Sequence, residues 1–257
     1  HLATATSRAN LGNLLHSMGL YSMAEPLCQS ARVIREGTLG LENPDTATSL
    51  DNVAALFHAM GNFEESESLQ TKALEIRKKI LGVDHPSTAT SHNNLGAVLR
   101  AKGELTKAEL HCRRALEIWE KYLGPTHPKT GTSLNNLGML LHKKQEYESA
   151  MSYFKRALAI WERSVGHEHP DTAGCLDNMA TTLREQDLIE DAFTYCIKGL
   201  EIRKKVLGAR HPDTANSLDN LGRLFAARGL MPQAKLYLME ASEIRQASLG
   251  LHHPKTV

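Results

Sequence analysis

Residues 127–168 read HPKTGTSLNNLGMLLHKKQEYESAMSYFKRALAIWERSVGHE, and the same 42-residue pattern recurs on both sides of them. His-Pro falls at His85-Pro86, His127-Pro128, His169-Pro170, His211-Pro212 and His253-Pro254, with Asn43-Pro44 one step earlier. Glycine keeps the interval at Gly40, Gly82, Gly124, Gly166, Gly208 and Gly250, and asparagine at Asn10, Asn52, Asn94, Asn136, Asn178 and Asn220. Threonine follows from Thr4 through Thr46, Thr88, Thr130, Thr172 and Thr214 to Thr256. Six full units result, 1–42, 43–84, 85–126, 127–168, 169–210 and 211–252, and residues 253–257 open a seventh. A fixed period of this length marks a stacked solenoid, so residues 1–257 are expected to form a single array. Neither end carries an atypical polar unit of the kind that caps a finished solenoid, so the array is expected to continue in a longer chain.

Within a unit the apolar residues keep a helical period, as at Leu134, Leu137 and Leu141 on one face of a first helix. The turn after it carries Gly19, Gly61, Gly103 and Gly229, replaced by Gln145 and Asp187 in units four and five, and a positive φ is expected there. The second helix spans Tyr147 to Val165 in unit four. Small residues fall where the helices must approach: Gly12, Ala54, Gly96, Gly138, Ala180 and Gly222 on the first, and Ala24, Ser66, Ala108, Ala150, Ala192 and Ala234 on the second. A bulky side chain there would cost roughly 1 to 3 kcal/mol. The loop proline starts the next helix, with Asp45, Ser87, Asp171 and Asp213 as candidate N-caps. Gly199 inside a helix marks unit five as the softest, by about 1 kcal/mol relative to alanine.

Asn136-Leu137-Gly138, Tyr147, Ala150, Phe154 and Ala157 resemble the tetratricopeptide repeat, whose standard unit is about 34 residues. The longer second helix and loop, Ala73 to Gly82 followed by His85-Pro86, are similar to the 42-residue repeats of kinesin light chain and nephrocystin-3, and to the sensor arrays of some signalling ATPases. The resemblance implies an all-α, right-handed superhelical solenoid of six helix-turn-helix tetratricopeptide repeats, with first helices lining its hollow. It also implies a non-enzymatic adaptor or scaffold that binds a protein or peptide. The alternative is a regulatory or sensor array packed on other domains of a larger signalling ATPase or motor-associated protein.

Each column asparagine sits one residue before a core position (Leu11, Val53, Leu95, Leu137, Met179, Leu221), about 100° around the helix, and so borders the hollow. A carboxamide both donates and accepts, as an extended peptide backbone does. The competing use is a cap or a bond within the repeat. In the tetratricopeptide family this column contacts bound peptides, and the match holds at all six positions. Six residues after each asparagine stand His16, His58, Arg100, His142, Arg184 and Ala226, with Lys143 and Arg223 on adjoining positions and Asp51, Asp177, Asp219 and Glu185 opposing them. His58, Arg100, His142, Lys143, Arg184 and Arg223 thus join the asparagines as candidate binding residues. They favour a peptide carrying acidic residues.

Among 257 residues, 41% are apolar and 23% charged, enough for a substantial core, which excludes a wholly disordered chain. A formal net charge of +1 offers no footprint for nucleic acid, and no stretch reaches the roughly 18 apolar residues of a membrane span. No charged stem and apolar run opens the chain, and four cysteines in this length point to a reducing, cytoplasmic setting. Cys28, Cys112 and Cys196 share a second-helix column and read as buried; Cys175, at a serine position, is the better candidate for a reactive thiol. The loop histidines lie one per unit, too far apart for a metal. Trp119 and Trp161 replace Arg35, Arg77, Arg203 and Arg245 in their column and read as packing at the second-helix end, with an outer binding surface as the alternative. Walker, Gly-x-Ser-x-Gly and His-Glu-x-x-His signatures are missing, so no catalytic residue, cofactor or metal is expected.

Overall fold

A computed structural model describes residues 1–249; the seventh-unit residues 253–257 lie outside the described residues. Twelve helices and no strand occur among those described. They are α1 (Leu2–Ser17), α2 (Tyr21–Leu39), α3 (Pro44–Ala59), α4 (Phe63–Leu81), α5 (Pro86–Ala101), α6 (Leu105–Leu123), α7 (Pro128–Lys143), α8 (Tyr147–Ser164), α9 (Pro170–Glu185), α10 (Ile189–Val206), α11 (Pro212–Ala227) and α12 (Met231–Leu249). Each repeat is one antiparallel pair, and the helices group into two compact units, His1–Leu123 and Gly124–Val257.

The loop between repeats explains three of the periodic columns at once. Glycine turns the chain there with φ of 81° at Gly40, 96° at Gly82, 92° at Gly124, 94° at Gly166 and 91° at Gly208, a region that side chains with a Cβ avoid. Threonine then hooks the glycine carbonyl: the Thr46, Thr88, Thr130, Thr172 and Thr214 hydroxyls donate to Gly40, Gly82, Gly124, Gly166 and Gly208 over 2.8–3.1 Å. The histidine is the cap. His85, His127, His169 and His211 accept through Nδ1 from the amides of Ser87, Lys129, Asp171 and Asp213 at 3.1–3.2 Å, and Asn43 Oδ1 accepts from Asp45. The N-cap is therefore two residues earlier than the sequence suggests at Asp45, Ser87, Asp171 and Asp213. Proline takes the first helical position, so the capping acceptor must precede it.

The turn inside each hairpin has positive φ as expected, including 64° at Gln145 and 61° at Asp187, where no glycine relieves the Cβ contact. The small column is tight. A Cβ on Gly138 would stand 2.6 Å from the Phe154 ring, one on Gly222 2.7 Å from Leu238, and one on Gly96 2.6 Å from the Cys112 sulfur. Gly199 has a comparable job: a Cβ there would meet the Asp177 carboxylate at 2.9 Å and the Ala173 carbonyl at 3.2 Å. Its helix cost is therefore tied to a close approach and does not mark the fifth repeat as soft.

In the first unit Ala24 and Cys28 pack with Leu50, Val53, Ala54 and Leu56 of the next hairpin and with Leu69 and Ala73 of its second helix. In the second unit Phe193, Leu200, Leu218, Leu221 and Leu224 form the corresponding core, with Phe225 5.0 Å from Phe193 and stacked on Tyr237 at 5.3 Å. Full burial of one such aliphatic or aromatic side chain contributes about 1.5–3 kcal/mol. One hairpin cannot supply a partner for its outer face, which is why repeats fold together.

Candidate functional site

In the second unit the first helices α7, α9 and α11, with the facing ends of α8, α10 and α12, enclose a cavity of about 950 Å³. Three of the column asparagines, Asn136, Asn178 and Asn220, line it, together with Arg223. They sit side by side because each falls at the same place on consecutive first helices. Asn178 donates its amide to Asn135 Oδ1 at 3.0 Å, so one carboxamide group is partly engaged within the protein. In the first unit Asn52 and Asn94 are half-buried at the matching positions of α3 and α5, and Asn10 on α1 is exposed.

The expected cations are placed differently. Of His58, Arg100, His142, Lys143, Arg184 and Arg223, only Arg223 lines this cavity. His58 packs on Phe63 at 5.5 Å and His142 on Tyr147 at 5.6 Å between ring centroids, inside their own hairpins, and His142 Nδ1 shares a 3.0 Å hydrogen bond with the Thr182 hydroxyl. Arg184 pairs with Glu185 at 2.6 Å and Lys143 is exposed. Arg100 is half-buried; desolvation lowers its pKa, and its Nε has no hydrogen-bond partner among the described residues. Six residues after the asparagine is nearly two turns on, which carries the side chain to the hairpin turn and away from the cavity.

The sequence reading named the aspartates and the second-helix arginine column but did not pair them, and these pairs give the cavity its charge. The position before each asparagine and the second-helix column 26 residues later face one another: Asp177 Oδ2 lies 2.6 Å from Arg203, Asp219 Oδ1 3.1 Å from Arg245, and in the first unit Asp51 pairs with Arg77. Arg203 and Arg77 also reach the following first helix, while Arg245 holds Asp219 and Asn216 of its own hairpin. Arg203 donates to the Asp213 carbonyl at 2.6 Å and to Ser217 at 3.0 Å, and Arg77 donates to Ser91. Ser217 in turn donates to Asp177 Oδ2 at 2.6 Å. Burial pushes the Asp177 carboxyl pKa up against the opposing pull of Arg203 and the Ser217 hydroxyl; burial likewise raises Asp51 despite Arg77. Arg223 also pairs with Asp219, at 2.6 Å.

Trp119 and Trp161 occupy this inward column and are buried to 2% exposure, so neither forms an outer surface. Trp119 donates to the Pro86 carbonyl at 3.1 Å; Trp161 lines the cavity. A signal was available in the sequence, because in units two to six the pair changes together: Asp51/Arg77, Asn93/Trp119, Asn135/Trp161, Asp177/Arg203 and Asp219/Arg245, unit one having Ala9 with Arg35.

Cys28, Cys112, Cys175 and Cys196 are buried thiols outside any disulfide. Burial pushes the Cys175 thiol up to about 12, which removes it as a reactive-thiol candidate. Among the described residues no group of three or more His, Cys, Asp or Glu side chains could hold a metal, and no helix is long and apolar enough to cross a membrane.

A repeated, periodic helical hairpin with a side-chain-lined inner face defines a helical repeat protein. The Tetratricopeptide repeat family model matches residues 2–79, 50–111, 87–163, 135–195 and 173–247, and the chain belongs to that family. No curated protein matches its sequence. Among solved structures it is similar to BtubC (BKLC) from P. vanneervenii, with 24% identity over 91% of this chain and 92% of that one and a TM-score of 0.63. The apo form of RapI gives 23% identity, coverage of 96% and 84%, and a TM-score of 0.70. A Podosopora anserina putative kinesin light chain with nearly identical TPR-like repeats gives 22% identity, 80% and 98% coverage, and a TM-score of 0.58. These likenesses establish the fold.

Proposed function

We propose that the chain is a non-enzymatic protein-interaction module, an adaptor or scaffold, that holds an extended partner segment along the inner face of its first helices. The observation that carries this is the 950 Å³ cavity lined by Asn136, Asn178 and Asn220, whose amides repeat at a structural interval as peptide groups do. A site of this kind, polar and open, suits reversible capture of a strand. The kinesin-light-chain-like repeat type supports the same class of role, and four buried free cysteines fit a reducing, cytoplasmic setting.

The acidic-peptide preference is not retained. In the second unit His142, Lys143 and Arg184 lie off this cavity, and Arg223, which lines it, is paired with Asp219. The cavity wall carries Asp171, Asp177, Asp213 and Asp219 against Arg203, Arg223 and Arg245.

The test is capture of partners from cell extract by the chain and by an Asn136→Ala, Asn220→Ala variant, followed by titration with a peptide spanning the bound segment. Loss of two peptide-directed hydrogen bonds should weaken binding about tenfold with the fold intact by circular dichroism. Unchanged affinity would remove the groove from the interaction and favour the alternative, an array that docks on other domains through its outer helices.

A further inference from the structure

Two junctions between hairpins are built on the same three positions with different residues. In the second unit Leu200 is buried in the core and Tyr237 packs against it, the Tyr237 ring lying parallel to Phe225 with centroids 5.3 Å apart. Four periods earlier in the sequence the matching residues are Arg32 on α2, Leu69 on α4 and Phe57 on α3. Phe57 keeps its place, partly buried against the first-unit core, but leucine stands where Tyr237 supplies a ring.

The space that these changes leave is open. Phe57, Leu69 and Arg32 line a cavity of about 350 Å³, and the same Arg32 and Leu69 line a second one of about 390 Å³ with Leu50 and Ile76. Arg32 does not take over the buried place that Leu200 holds: its Nε lies 3.6 Å from Glu36 Oε1, one turn along α2, and its side chain is 27% exposed. Leucine fills the Arg32 position at Leu74, Leu116 and Leu158 as well, and tyrosine fills the Leu69 position at Tyr153 and Tyr195. The first junction therefore lacks both the leucine and the ring, while the apolar surface made to receive them remains.

We infer that this junction is a docking site for one aromatic side chain, tyrosine or phenylalanine, of a partner protein. The guest ring stacks on Phe57 beside Leu69, as Tyr237 stacks on Phe225, and the Arg32 guanidinium adds a cation–π attraction. A saturated guest of the same size would gain the apolar contact alone. None of the groove asparagines takes part, so the inference stands or falls apart from the groove proposal.

Capped Gly-Ser peptides with a single central Phe, Tyr, cyclohexylalanine or Ser are titrated into the chain labelled at its leucine methyls, the Leu69 signals being assigned with Leu69→Met. The Phe and Tyr peptides should shift the Leu69 methyls and bind at least about threefold tighter than the cyclohexylalanine peptide, and the Ser peptide should leave these signals in place. Phe57→Leu, which copies Leu99, Leu141 and Leu183 in the same column, should erase the aromatic advantage. Arg32→Leu with Leu69→Tyr, which copies Leu200 and Tyr237, should fill the site from within and abolish binding, with a melting temperature no lower than that of the parent. Equal affinity for aromatic and cyclohexyl guests, an aromatic preference that survives Phe57→Leu, or binding that persists in the folded double variant overturns the site. So does a Leu69 signal that no aromatic peptide moves. If the double variant does not fold, the Phe57→Leu comparison decides alone.

Discussion

Hairpins two, five and six carry aspartate before the groove asparagine and arginine 26 residues later, whereas hairpins three and four carry asparagine and tryptophan at the same two places. In the first group a carboxylate and a guanidinium are buried together, with Asp177 and Arg203 side chains 5% and 10% exposed. In the second group apolar surface fills the space: Trp119 packs with Ala89, Ala115 and Ile118. The two solutions are of similar use to the fold, since a well-packed apolar replacement for a buried ion pair is often neutral or stabilising. They differ in what they present to the groove. The charged pair spends one oxygen of Asp177 on Arg203 and Ser217, whereas in hairpin four Asn135 turns to Asn178 and Met139 and the Trp161 Nε1 has no partner among the described residues.

If the pair is one unit, breaking half of it should hurt far more than exchanging it. Arg203→Ala leaves Asp177 buried without its cation and should cost about 3–5 kcal/mol in urea unfolding. The exchange Asp177→Asn with Arg203→Trp, which installs the hairpin-three solution in hairpin five, should recover at least about 1.5 kcal/mol relative to the sum of the single changes. Simple additivity would break the comparison.

The repeat length, the helix pairs and the burial of Leu134, Leu137 and Leu141 were legible because each rests on a local pattern repeated six times. So were the positive φ values of Gln145 and Asp187, which follow from alignment with glycine. The histidine caps were not, because aspartate and serine follow the proline in the same units and are the commoner capping residues. In the second unit the helical angle brings Asn136, Asn178 and Asn220 to the cavity wall. The cation column does not reach this cavity because six residues on is about 120° around the helix from the asparagine stripe and nearly two turns along the axis, where His142 packs on Tyr147. The Asp–Arg pairing needed a relation between two columns on different helices, which only the paired change in units three and four exposes.

Hairpin three departs again in its core, where His92 and His111 stand at the places of Leu50 and Leu69 in hairpin two. Their Nδ1 atoms are 2.8 Å apart, so one neutral ring donates to the other. Burial first, then His111, Lys78 and Arg114, hold the His92 pKa down to about 3; burial and Lys78 also lower His111. An unfolded histidine titrates near 6.5, so on acidification the unfolded chain takes up the proton first. Stability from this ring is complete above about pH 6.5 and is lost as the pH falls toward 3, about 2 kcal/mol of it by pH 5. His92→Leu should flatten the pH dependence of the urea midpoint over that window. A parent and a variant with parallel curves would show that the pair carries no such linkage.

The smallest effect separates the two tryptophans themselves. Replacing either by phenylalanine removes a similar volume, but only Trp119 gives up a hydrogen bond, the one to the Pro86 carbonyl. That carbonyl still accepts from the Thr90 hydroxyl at 3.3 Å, so it is not left bare. Trp119→Phe should therefore cost about 1 kcal/mol more than Trp161→Phe in unfolding free energy, near the middle of the range for one hydrogen bond. Trp161→Phe should instead register in the groove, as a loss of peptide affinity. Equal stability costs with unchanged peptide binding would mean that the indole of hairpin four is as fully committed to the fold as that of hairpin three, and that the difference between the two lies in the serine-to-cysteine and threonine-to-glycine changes around Cys175 and Gly174.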